Sequence, residues 1–258
     1  MKTPRIISLF CAALVLPLGG LQAQFAGFSN DSSVSFLVES TGINSTNAGG
    51  TGVTIGGEIQ FDHTELWLRV VIDNNTLGPN GEFGALSQFG FDTPFGPFDS
   101  TVLNTTTVSF STDRSGFGLV IPYSEVPPGP GGQNPDNSDF HKHVGAMQTT
   151  AGDSDRIQFG QTGTFDFSFG SVIADTGFDA SLFNANDFFA GTPIPMSFRF
   201  QGPFHEGAGE DDSDKFFGVF RDGDIITPPI PEPSTYGIAG VGLLLALVLV
   251  RRFRKTKQ

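Results

Sequence analysis

His141 and His143 flank Lys142, and in an extended segment two histidines at that spacing point to the same side. Such a pair can hold a transition metal when a third ligand arrives, and Asp136 or Asp139 could supply it. The pair also closes a stretch rich in Pro, Gly, Asn and Asp, and a solvated loop is the favoured reading. Carboxylates gather at Asp136-Asn137-Ser138-Asp139, Asp153-Ser154-Asp155, Asp211-Asp212-Ser213-Asp214 and Asp222-Gly223-Asp224. Hard oxygen donors on loops suit calcium, and Asp211, Asp212 and Asp214 are the candidate ligands. None of these runs fits the twelve-residue helix-loop-helix pattern. Asp-Ser and Asp-Gly also build ordinary turns, which is the alternative. Calcium is the only cofactor these residues suggest.

Other chemistries find no foothold. The single cysteine is Cys11, near the amino terminus. There is no Gly-x-Ser-x-Gly, no histidine in a recognisable serine context, and no lysine after Gly49-Gly50-Thr51-Gly52 to make a phosphate loop. His63 and His205 have no local partner pattern. No catalytic residue is assigned, and a non-enzymatic role is expected. A sugar-stacking surface would use Trp or Tyr, with a polar edge beside the ring. Past the first residues, Trp67 and Tyr123 are the main candidates, against 28 Phe in the chain. So few aromatic platforms give a sugar-binding role no support from residues; a carbohydrate-binding module is kept as the alternative function, and a polysaccharide hydrolase as a more remote one.

Charge is segregated along the chain. Between Gln24 and Ile230 lie 26 carboxylates and 7 Lys or Arg, while the other basic residues sit at the two ends. Such a body repels nucleic acid and anionic lipid, so no nucleic-acid partner is expected.

The middle of the chain reads as short strands between turns, and the 34 Gly and 17 Pro of the whole chain favour turns over long helices. Alternation predicts strands at 33–39, 53–61 (interrupted by Gly56-Gly57) and 65–73. Further strands are expected at 101–111, 116–121, 156–159, 164–169, 195–200 and 215–221. Leu66, Leu68, Val70 and Ile72 share one face; Phe165, Phe167 and Phe169 share another. Phe-rich alternation of this kind usually means core. Residues 178–189 read as a short helix or a packed loop, and 122–139 as a long exposed loop. About nine strands and no long helix predict an all-β body, a β-sandwich or a jelly-roll-like fold.

The two ends differ in kind from the body. Lys2 and Arg5, an apolar run over 6–18 and the small residue of Leu21-Gln22-Ala23 make a secretory signal peptide over 1–23, cut after Ala23. At the other end stand Pro231-Glu232-Pro233, an apolar stretch over 236–250, then Arg251, Arg252 and Arg254. Fifteen residues give about 22 Å of helix, short of a ~30 Å hydrocarbon core, and snorkelling basic side chains make up part of the difference. The arginines are the expected membrane stop, with the body outside.

This tripartite tail resembles the PEP-CTERM sorting signal of Gram-negative bacteria, a tail also described as an ice-binding-protein C-terminal motif. The resemblance covers 231–255. It implies recognition by an exosortase, a membrane cysteine protease-transpeptidase, and export by bacteria that make exopolysaccharide or biofilm. The strand 66–73 running into Asn75-Thr76, the Gly90-Phe91-Asp92 turn, and Phe198-Arg199-Phe200-Gln201 followed by Ser213-Asp214-Lys215 also resemble uncharacterised PEP-CTERM surface proteins. The expected organisation is a signal peptide (1–23), a β-sandwich surface domain (24–226), a Pro-rich spacer with the Pro-Glu-Pro motif (227–235), a transmembrane helix (236–250) and a basic cytoplasmic tail (251–258). The expected protein is exported, anchored in the envelope before processing, then displayed at the surface or released, with membrane, exosortase and exopolysaccharide as partners.

Overall fold

In the computed structural model, residues 25–45, 50–74, 84–95, 102–121, 144–149, 155–202 and 213–228 are described. They form eleven strands. β1 (Ser32–Glu39), β2 (Thr54–Asp62), β3 (Trp67–Asn74) and β4 (Ala85–Phe91) come first. β5 (Ser109–Thr112), β6 (Phe117–Val120), β7 (Val144–Gln148) and β8 (Gln161–Ser168) follow. β9 (Met196–Gln201), β10 (Ser213–Arg221) and β11 (Asp224–Ile226) complete the set. A helix, α1 (Gly170–Thr176), ends at Gly177, whose φ of 67° is the left-handed stop that glycine tolerates.

The strands join into one sheet in the order β5-β8-β3-β2-β1-β11-β10-β9-β4-β7-β6. Only β1 and β11 run parallel; the other pairs are antiparallel. β10 is the corner: residues 213–218 pair with β9, and 219–221 pair with β11. The two edge strands, β5 and β6, are neighbours in the chain, so the sheet nearly closes on itself. It folds over far enough for Phe89 on β4 to meet Phe165 on β8, ring centroids 4.7 Å apart. Phe36 on β1 meets Phe198 on β9 at 5.7 Å. These contacts join strands far apart in the sheet order, and they define the core. The all-β expectation holds.

Inward residues follow the alternation: Val34, Phe36 and Val38, then Leu68, Val70 and Ile72, then Phe165 and Phe167 are all buried. Phenylalanine is the commonest buried side chain among the described residues, and its rings meet largely edge to face, as with Phe91 and Phe167 at 82°. A second aromatic cluster closes one end of the sheet. Phe61 meets Phe183 and Phe188, and Phe169 meets Phe95. Residues 178–189 thus form a packed loop containing one 3-10 turn, Ala180–Leu182, not a continuous helix.

Several expectations need correction. Gly56-Gly57 does not interrupt β2. The ladder runs through both glycines, and position 57 must be glycine, since a Cβ there would lie 2.0 Å from the Val71 carbonyl oxygen and 2.4 Å from the Phe36 ring. Glu65 and Leu66 belong to the turn before β3, held by Asp62 Oδ1, which accepts from the Thr64 and Glu65 amides at 3.1 and 3.0 Å. The strand expected over 101–111 shrinks to β5, since Asn104 Oδ1 accepts from the Thr106 amide and winds 104–107 into a turn. Residues 156–159 give only an isolated bridge, Leu86 to Ile157. β4, β7 and β11 have no counterpart among the expected strands. β4 is buried on both faces and has no alternation to read, and Gly90-Phe91 end this strand rather than form a turn.

The expected signal peptide (1–23) and the expected membrane helix (236–250) lie outside the described residues, as do 122–139, His141, His143 and Tyr123. Among the described residues, no helix is long and apolar enough to cross a membrane.

Candidate functional site

Three places on the body bring chemistry-bearing side chains together. The first is a patch on the outer face of β3 and β8. Trp67 and Arg69 alternate outward on β3, and Asp166 is the cross-strand partner of Arg69. Arg69 Nε and Nη2 donate to Asp166 Oδ1 and Oδ2 at 2.7 and 3.1 Å, a two-point pairing that the planar guanidinium fits. The Asp166 side chain is fully buried although it sits on the polar face of its strand. The segment just after the expected signal cut covers it. The Phe25 amide donates to Asp166 Oδ2 at 3.1 Å, and the Phe28 ring lies 4.1 Å from the Arg69 guanidinium carbon. Phe25 packs on Trp67, centroids 4.7 Å apart. The indole on which the alternative sugar-binding reading would depend is therefore engaged by the chain itself.

The second place surrounds Asp214, one of the three candidate calcium ligands; Asp211 and Asp212 lie outside the described residues. Asp214 stands in β10 opposite Phe200 and is fully buried. Its Oδ1 accepts from Ser45 Oγ at 2.5 Å, and its Oδ2 from Thr51 Oγ1 at 2.6 Å and from Ser40 Oγ. Beside it, Asn44 Nδ2 donates to the carbonyls of Glu39 and Phe217, at 2.9 and 2.8 Å. A carboxylate on a core strand is thereby tied to the chain that links β1 and β2. Among the described residues, no group of three or more His, Cys, Asp or Glu could hold a metal. Asp214→Ala removes the shared acceptor of three hydroxyls. It should cost about 3 kcal/mol in urea unfolding, since each orphaned buried donor costs roughly 1–3 kcal/mol. A loss below about 0.5 kcal/mol would show that this carboxylate does not hold the linking chain.

The third place is a cleft of about 290 Å³ at the end of β4, where Asp92, Thr93 and Pro94 face Gly191, Thr192 and Pro193. The Asp92 amide donates to the Pro195 carbonyl at 2.9 Å, extending the β4–β9 ladder by one step. The Thr93 amide donates to Asp92 Oδ1 at 3.0 Å. In the sequence Asp92 stands out only as part of a familiar turn. Residues 92–94 and 191–193 are about a hundred positions apart, so no local pattern announces the cleft.

A further pair escapes the sequence for the same reason. Ser32 Oγ lies 2.9 Å from His63 Nε2, and the Ala185 amide donates to Ser32 Oγ at 3.2 Å. The neighbouring Asp31 carboxyl is held below its ordinary 3.8, first by the His63 amide and then by the Ser29 hydroxyl. The pair sits at the surface, where it joins the start of β1 to the end of β2.

The fold and these sites define an all-β body, and the tail beyond it carries a recognisable motif. Residues 229–255 match the family model of the PEP-CTERM protein-sorting motif. The match takes in Pro231, Glu232 and Pro233 and the arginines Arg251, Arg252 and Arg254, which lie outside the described residues. The chain thus carries a PEP-CTERM protein-sorting motif, a signal that supports export and handling by an exosortase at the membrane. No curated protein matches the chain.

Proposed function

We propose that this protein is a non-enzymatic component of the cell surface or extracellular matrix. Its body is exported through the signal peptide, held by the tail while exosortase acts near Pro231-Glu232-Pro233, then displayed or released into exopolysaccharide or biofilm. The observation that carries this reading is the sorting motif at 229–255. The acidic body supports it. With 26 carboxylates against 7 Lys or Arg between Gln24 and Ile230, it has little affinity for the anionic membrane it leaves behind.

Cell fractionation tests the reading. The full chain is expected in the envelope and surface fractions. A chain ending at Ile230 is expected to leave the envelope almost completely, because it has lost the lipid-partitioning segment. Intact mass of the recovered protein reports both terminal cuts. A body found in the cytoplasm, or an identical distribution of the two chains, overturns the proposal.

A further inference from the structure

We propose that residues 25–29 are a strap that competes with signal cleavage, so that the expected cut after Ala23 must come before the strap closes on the body. This rests on the export reading above, because it needs the signal peptide which that reading assigns. The cut bond joins Ala23 to Gln24, and Phe25 is the next residue. Phe25 is also tied to the body. Its amide donates to Asp166 Oδ2 at 3.1 Å, and its ring packs on Trp67 with centroids 4.7 Å apart. The Phe28 amide donates to the Phe25 carbonyl at 3.4 Å, and this turn sets the Phe28 ring 4.1 Å from the Arg69 guanidinium carbon. The Ser29 amide then donates to Asp62 Oδ2 at 2.8 Å. The strap thus crosses β8, β3 and β2, and it gives one amide to each of two buried carboxylates, Asp166 and Asp62.

Cleavage and closure make opposite demands on this segment. In cleavage, water adds across the Ala23–Gln24 bond and leaves a carboxylate on Ala23 and an amine on Gln24. A protease reaches such a bond where the backbone around it is free of packing and hydrogen bonds. Only Gln24 separates the bond from the docked Phe25 amide, and one extended residue spans at most about 3.6 Å. That is too short for a peptidase to grip both sides of the bond while Phe25 stays on Trp67. The strap must therefore open before the cut. Opening takes an amide from each of the two buried carboxylates, and hydrogen bonds to charged groups are the costlier ones to lose. Closure after the cut restores them and packs the second residue of the new amino terminus against β3.

The full precursor, folded in detergent, is treated with signal peptidase, and loss of residues 1–23 is followed by intact mass. A second chain carries Gly-Ser-Gly-Ser between Gln24 and Phe25, an added reach of about 13 Å that frees the bond while the strap stays docked. The parent should be cut about tenfold or more slowly than this insertion chain, because cleavage of a closed segment follows the population of its open form. Phe28→Ala removes the ring over Arg69 and should be cut several-fold faster than the parent. Hydrogen exchange over 25–29 should show equal protection in the insertion chain and the cleaved body. Equal cutting of parent and insertion chain overturns the inference and leaves the signal reading standing. Exchange over 25–29 as fast as in the unfolded chain also overturns it. An insertion chain that is not cut after Ala23 overturns it together with the signal reading.

Discussion

Arg69→Ala should lower the thermal midpoint of the body by about 10 °C or more. The substitution leaves the fully buried Asp166 carboxylate without its cation. Removing one partner of a buried pair costs about 3–5 kcal/mol, because the remaining charge is neither solvated nor neutralised. For a domain of this size each kcal/mol shifts Tm by roughly 2–4 °C. The same change removes the surface that Phe28 covers, so hydrogen exchange over residues 25–29 should also rise. The double variant Arg69→Met, Asp166→Leu separates charge from packing. It should recover much of the loss, since apolar side chains of similar volume need no counter-charge. A single variant that melts within about 2 °C of the parent would show that the pair is solvated and contributes little.

Gly57→Ala should be as damaging, for a steric reason. The new methyl carbon would lie 2.0 Å from the Val71 carbonyl oxygen on β3 and 2.4 Å from the Phe36 ring on β1. The first obstacle is backbone and cannot rotate away. Relief requires β2 and β3 to separate locally or Phe36 to leave its place in the core. Overpacking typically costs about 1–3 kcal/mol, and a backbone conformation normally reserved for glycine costs a similar amount, so roughly 3–5 kcal/mol is expected. The neighbouring Gly56 is the control. A Cβ there meets nothing closer than 3.7 Å, so Gly56→Ala should change stability by less than about 1 kcal/mol. Urea unfolding of both variants checks the pair. Equal stabilities would show that β2 and β3 are not spaced as described.

Much of the fold is legible in local pattern. The alternation of Leu68, Val70 and Ile72, and of Phe165 and Phe167, places β3 and β8 and their inward faces, because period two is a property of one strand alone. β4 is not legible, since a strand buried on both faces carries no alternation. Local pattern over-extends β5 because Thr and Val in 101–108 favour strands, yet the Asn104 side chain captures the following amides and turns the chain. Alternation makes Asp166 an outward polar residue, which is correct for direction. Its burial depends on residues about 140 positions away that fold over it.

The amino-acid sequence by itself carried the sorting motif and the all-β class of this protein. An apolar run, a Pro-Glu-Pro motif and an arginine cluster are read one segment at a time, by partition between water and lipid and by sorting machinery. Strand alternation is equally local. The tertiary structure alone decided which chemistry-bearing groups meet. Asp214 finds Ser40, Ser45 and Thr51, Ser32 finds His63, and Asp92 faces Thr192 only because a sheet folded over on itself brings distant segments together. Such meetings depend on strand order and register, which are set by every pairing in the sheet at once and leave no trace in the spacing of the residues concerned.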